Sequence, residues 1–139
     1  MNEKTMISPY DLYGTDPALE TNGVWVDVGP MSFLLARAGG ENQDFKTMVA
    51  KKFAPFQVAI ANDMLPETAA KSMLVEVFAE TIIKDWKNVG ARDGSELPFT
   101  KDNAKTLLND LPELLMTLQA EANKLGNYKK RQLEAAAKN

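Results

Sequence analysis

Residues 66–87, PETAAKSMLVEVFAETIIKDWK, constrain this chain more than any other stretch. Pro66 suits the first turn of a helix, where its missing N–H would have no partner, and Glu67 favours the positive end of the helix dipole. Ala70, Leu74, Phe78 and Ile82 recur every four residues, and Met73, Val77 and Trp86 widen that stripe. Val75, Ala79 and Ile83 form a second apolar row. Ser72, Glu76, Glu80 and Lys84 leave one continuous polar strip. A helix apolar over most of its circumference needs neighbours on more than one side. The spacing therefore predicts a core helix over 66–87 around which the rest is built.

Upstream, residues 1–22 are polar and punctuated by Pro9, Gly14 and Pro17, which predicts an irregular arm draped over the body through Tyr10, Leu12 and Tyr13. GVWVDV (23–28) alternates strictly, with Val24, Val26 and Val28 on one face and Trp25 and Asp27 on the other. Gly29-Pro30 makes a turn, and MSFLLARA (31–38) returns as a second strand with Phe33 and Leu35 on one side. A lone hairpin is marginal in water, so its apolar face should pack on helices. Trp25 belongs to the core or to the hairpin edge; only a pocket around it would argue for a stacking role.

Gly39-Gly40 ends the strand and Asn42 is a candidate N-cap. Phe45, Met48, Val49, Phe53 and Phe56 follow helical spacing and read as a core stripe in preference to a hydrophobic partner groove, with Pro55 ending or kinking the helix before a short piece at 56–62. Beyond the central helix, Asp93-Gly94 marks a turn. Asp93, Ser95 and Glu96 resemble the start of a calcium loop, but its later acidic ligands and closing Glu are missing. Thr100 caps a helix over 101–109, and Asp110-Leu111-Pro112-Glu113 reads as a capping box opening another. Leu111, Leu115, Leu118, Ala122 and Leu125 then run 4-3-4-3, a seam too short for a coiled coil that must pack on another helix, internal or from a second subunit.

The fold class expected is mainly α (α+β), an N-terminal β-hairpin packed on a small helical bundle centred on 66–87. Residues 1–22 form the arm, 23–125 the single globular domain, and 126–139 a basic tail that orders against a partner. Its 139 residues, 45% apolar and 25% charged, fit one ordinary domain. The sequence contains no cysteine and no histidine, which excludes disulfides, thiolate metal sites, Cys nucleophiles and His general bases. The expectation is a non-enzyme with no catalytic, metal or cofactor-binding residues. No apolar run approaches a membrane span and the start lacks the apolar centre of a signal peptide, so a cytoplasmic protein without a membrane partner is expected.

From Lys124 onward five cations face the single anion Glu134, a local charge of +4 within a chain of −3, so the first 123 residues carry −7. Two readings follow, attraction of an acidic partner or neighbouring copy, or a solvated terminal helix whose cations complement its dipole. Basic residues do not interleave with aromatics on any strand, and nucleic acid is not an expected partner.

Taken together, LYGTDPALETNGVWVDVG (12–29), ARAGGEN (36–42), VFAETIIKDWKNV (77–89), DGSELPFT (93–100), LLNDLPELLMTLQAEANKL (107–125) and the Lys-Asn ending resemble the tail assembly chaperones of long-tailed bacteriophages. The resemblance spans nearly the whole chain in order. It implies a protein of the infected cell's cytoplasm that binds the tape measure protein and keeps it soluble while tail tube subunits assemble around it. Such proteins are absent from the mature virion. It also implies a frameshifted longer form, loosely matched by AAAKN (135–139), and self-association into a homo-oligomer. A chaperone for a helical client needs exposed apolar helix surface and solubilising charge. The first suspects for partner binding are Leu114, Leu118 and Leu133 with the Lys129, Lys130 and Arg131 cluster. The alternative is a structural virion protein, a tail or connector subunit retained in the particle.

Overall fold

The computed structural model describes residues 6–129. Two short helices, α1 (Pro9–Tyr13) and α2 (Pro17–Asn22), lead into β1 (Val24–Val28) and β2 (Met31–Leu35). Then come α3 (Gln43–Phe53), a 3-10 turn (Ala54–Phe56) and α4 (Gln57–Ala61). The central element is α5 (Glu67–Val77), continued by a π-helical turn (Phe78–Ile82) and β3 (Ile83–Lys87). Helices α6 (Lys101–Asp110) and α7 (Pro112–Ala122) and a 3-10 turn (Leu125–Tyr128) complete the described chain. The class is α+β with an N-terminal hairpin, as the alternation and helical spacing require.

The hairpin forms in the expected register, Val26 opposite Phe33 and Val28 opposite Met31. Gly29 at φ +60 followed by Pro30 suits the first and second positions of a type II′ turn, whose twist matches the strands. Val24, Val26, Phe33 and Leu35 point into the core, and Trp25 lies on the outer face, half-exposed, with the Lys87 ammonium 4.1 Å from its ring centre.

The central helix departs from expectation at its end. It stays helical to Ile82, and residues 83–87 form instead a third antiparallel strand beside β2. Pairing with β2 converts a marginal hairpin into a three-stranded sheet of order β1-β2-β3. The β-branched Ile82-Ile83 pair weakens any helical continuation. A register shift between Leu34 and Leu35 leaves Lys84 as a bulge, so that both Ile83 and Trp86 are buried. Trp86 meets Phe33 and Phe99 edge-on at 6.1 and 5.1 Å, and its Nε1–H donates to the Leu97 carbonyl at 2.8 Å. The rest of the element is covered from several sides as its pattern demands. Helix α3 packs on one flank, with Phe45 edge-on to Phe78 at 6.5 Å, and α6 on the other.

The predicted irregular arm is α1 and α2, and α2 is anchored by a buried charge. Glu20 is only 1% exposed; its carboxylate accepts from the Arg37 guanidinium and from the Glu41 N–H at 3.2 Å. Gly40, at φ +54, passes so close that a Cβ there would fall 2.3 Å from the Glu20 carboxylate. Asn42 caps α3 as expected by accepting from the Phe45 N–H at 3.4 Å. Its amide also donates to the Arg37 carbonyl at 2.9 Å and the Thr81 carbonyl at 3.3 Å, tying this loop to the π-helical turn.

The folded body extends past residue 125. Tyr128 is fully buried, its hydroxyl lying 3.1 Å from the Leu35 carbonyl and 3.2 Å from that of Ala36. The Asp16 N–H donates to the Tyr128 carbonyl at 2.9 Å and Thr15 bridges Lys129, so the segment entering α2 is paired with the last described residues. The remainder of the predicted tail, 130–139, lies outside the described residues.

Candidate partner-binding surface

Helices α6 and α7 meet at a corner of one residue. Thr100 caps α6 by accepting from the Asn103 N–H at 2.9 Å. The helix then runs through Asp110, so the expected capping box does not form. Leu111, at φ −126 and ψ 79, is at once the last cap of α6 and the first of α7, and no side chain caps α7. Asp110 instead lies 3.7 Å from the exposed Arg92 guanidinium. Pro112 holds the first turn of α7, where its lack of an N–H costs nothing.

An apolar cleft of about 510 Å³ opens beside this corner. Leu107, Leu111 and Leu114 form one wall and Met31 and Val89 the other, with Asp110, Pro112 and Glu113 at the rim. A second cleft of about 360 Å³ shares Leu107, Leu111 and Asp110 and continues toward Leu97 and Arg92. Leu111 is half-exposed at the mouth. This is an open, apolar hollow with charge on its edge, the shape that receives side chains of a partner helix.

The residues singled out from sequence separate here. Leu114 lies in the cleft wall. Leu118 is 0% exposed and, with Leu115 and Ala122, packs in the central core, so it offers no surface to a partner. The seam is thus internal from Leu115 to Ala122, and only its first leucine faces the cleft. Lys129 is half-buried and bridged to Thr15. Lys130, Arg131 and Leu133 lie outside the described residues.

The Phe/Met stripe of α3 divides too. Phe45 packs on the core, whereas Phe56 is exposed, and Val58 (76% exposed), Ile60 and Met64 continue the apolar surface over α4. Helix α4 buries none of its residues. Sequence reasoning missed both this ridge and the Leu107–Met31 cleft. The ridge had a readable signal, since Asp63 is the only charge from Ala54 to Pro66.

Charge along the polar strip of the central element is structural. Glu76 pairs with Lys52 at 2.5 Å, and Glu80 pairs with Lys105 at 3.0 Å and Lys101 at 3.1 Å, strapping α3 and α6 to the central helix. Hydrogen bonds from Lys105 and then Lys101 hold the Glu80 carboxyl below its ordinary range.

The model of the YdaY prophage protein family matches residues 40–139, well over half of the chain. The chain belongs to the YdaY prophage protein family. Its origin is therefore a bacteriophage. No curated protein and no solved structure matches it. The YdaY match takes in α3 to α7, and with them the cleft wall formed by Leu107, Leu111 and Leu114; the hairpin that supplies Met31 precedes it.

Proposed function

We propose that this YdaY-family protein is a tail assembly chaperone that binds the tape measure protein and keeps it soluble while tail tube subunits assemble around it. The observation that carries the reading is the open leucine cleft at the α6–α7 corner of a phage-derived chain. A tape measure protein presents long amphipathic helices, and such a helix places apolar side chains at i, i+3, i+4 and i+7 into a hollow of this kind. The work is binding, not catalysis. It is done in the cytoplasm of the host, and the chain does not remain in the mature virion. A longer frameshifted form and self-association belong to the same reading.

The second reading, a tail or connector subunit retained in the particle, draws on the α4 ridge. Two separate apolar surfaces on one chain, ridge and cleft, suit a repeating subunit with permanent neighbours. Mass spectrometry of particles from the induced prophage distinguishes the two, since abundant copies of this chain would exclude the chaperone. The direct test is co-expression with the tape measure protein encoded by the same prophage. The chaperone reading expects it to move from the insoluble to the soluble fraction, and an unchanged distribution refutes it.

A further inference from the structure

The two clefts at the α6–α7 corner adjoin, since Leu107, Asp110 and Leu111 line both. Two neighbouring apolar hollows suit two side chains about 5–6 Å apart, the spacing of residues one turn apart on a helix. A third, polar hollow of about 400 Å³ shares Val89 and Gly90 with the leucine cleft and is edged by Glu96. Three carboxylates, Asp110, Glu113 and Glu96, thus stand around the apolar floor against one guanidinium, Arg92, a net charge of −2. All three carboxylates are exposed. Glu113 and Glu96 form no ion pair among the described residues, and Asp110 has only the 3.7 Å approach of Arg92, a side chain 93% exposed. Lys71 reaches the end of α6, but it donates to the Asn109 carbonyl at 3.0 Å and lines neither cleft.

We infer that the cleft takes a basic amphipathic helix, its apolar row seated in the two hollows and its lysines or arginines meeting Asp110, Glu113 and Glu96. Charge complementarity chooses among the occupants. An acidic helix brings like charges to the rim. So does a second copy of this chain, because two copies meeting at this corner on a two-fold axis bring the same carboxylates together, on bodies whose first 123 residues carry −7. Cations beside the apolar row replace that repulsion by attraction, and the exposure of the rim keeps the attraction sensitive to salt. The inference rests on the binding role proposed for the cleft and deepens it by giving the charge of the helix it accepts.

The test uses the full chain and a labelled synthetic helical peptide with leucines at i, i+3, i+4 and i+7 and lysines beside them. One control peptide carries glutamates for lysines, and a second keeps the composition but scrambles the leucine row. Fluorescence anisotropy at low salt is expected to show the lysine peptide bound at least about tenfold more tightly than either control. Asp110→Asn/Glu113→Gln should cut its preference over the glutamate peptide to about threefold or less, with the melting temperature unchanged. Leu111→Ala should weaken the lysine peptide by about fivefold or more. Absence of binding, equal binding of the three peptides, or a preference unchanged in Asp110→Asn/Glu113→Gln overturns the inference. So does a dimer in sedimentation that Leu111→Ala dissociates, which would assign the cleft to a second copy. Co-expression separates this result from the broader reading. A tape measure protein left insoluble beside a wild type that passes the peptide tests refutes the chaperone and leaves the basic-helix site standing. One kept soluble by a chain that fails them overturns the site and leaves the chaperone standing.

Discussion

Replacing Tyr128 by Phe removes one oxygen from the centre of the fold, and the consequence can be worked through with its sign. The ring is fully buried, so the phenyl group retains its packing, and the loss is confined to a hydroxyl shared between the Leu35 and Ala36 carbonyls. One such bond is worth about 1 kcal/mol, and leaving a buried carbonyl without a donor raises the cost to about 1–2 kcal/mol at neutral pH. Burial, more than any other cause, pushes the phenol well above its ordinary value of 10.0; Arg37 opposes the shift, and Glu121 and Glu20 add to it. Because the folded value is raised, the unfolded chain loses its proton first. Wild-type stability from this group is complete below pH 10 and declines above it, by about 1.4 kcal/mol at pH 11. Y128F has no proton to lose there. The gap between wild type and variant should therefore be about 1–2 kcal/mol at pH 7 and nearly vanish by pH 11. Urea unfolding followed by the fluorescence of Trp25 and Trp86 at both pH values measures it. Taking the difference cancels the alkaline titration of the lysines, which both proteins share. A gap that stays constant with pH would show that the Tyr128 hydroxyl is not buried in the folded state and would refute the reasoning.

Gly40→Ala should cost about 2–4 kcal/mol, combining left-handed backbone strain with displacement of the Glu20 carboxylate from Arg37, read as a lower urea midpoint. Trp86→Ala removes two edge-on aromatic contacts and a hydrogen bond and should cost about 3–5 kcal/mol by the same assay. Glu80→Gln should lose up to about 1 kcal/mol, and less at high salt. The folded Glu80 value lies below the ordinary 4.5, so its contribution is present above that pH and lost as pH falls through the folded value; the variant should show a shallower acid limb. Leu111→Ala should leave the unfolding free energy within about 1 kcal/mol of wild type yet reduce the soluble yield of a co-expressed tape measure protein, whereas Leu118→Ala should cost about 2–5 kcal/mol in stability.

Features decided by local chemistry were legible before any coordinates. The hairpin register follows from the valines of 24–28 and the Gly29-Pro30 turn, the start of α3 from Asn42, and the break near residue 54 from Pro55. Strand β3 was hidden for a specific reason. In a regular strand residues 83 and 86 face opposite sides, but the bulge at Lys84 turns both inward and leaves the segment with the i, i+3 spacing of a helix. Glu20 and Tyr128 were illegible because their partners are distant in sequence: Arg37 and Glu41 for the carboxylate, Leu35 and Ala36 for the hydroxyl. A glutamate in a polar arm carries no periodic mark of burial, and the glycine pair that makes room for it reads equally well as an ordinary strand terminator.

The cleft has the same kind of origin. A 4-3-4-3 count assigns Leu111, Leu115, Leu118 and Ala122 to one face of one helix. Leu111 belongs to neither helix, however, since its backbone makes the corner between α6 and α7. Its side chain therefore leaves the row that the other three continue into the core and stands at the mouth of the hollow, with Leu107 one turn back on α6 and Leu114 one turn on. Met31 and Val89 line the same hollow, and the space left between these groups is open to solvent. Apolar surface of that kind is covered favourably by aliphatic groups from another molecule, at about 25 cal/mol for each square ångström removed from water. The single leucine row thus divides between buried core and open surface at the residue where the helix breaks, which is why substitutions only seven positions apart are expected to differ in their effect on stability.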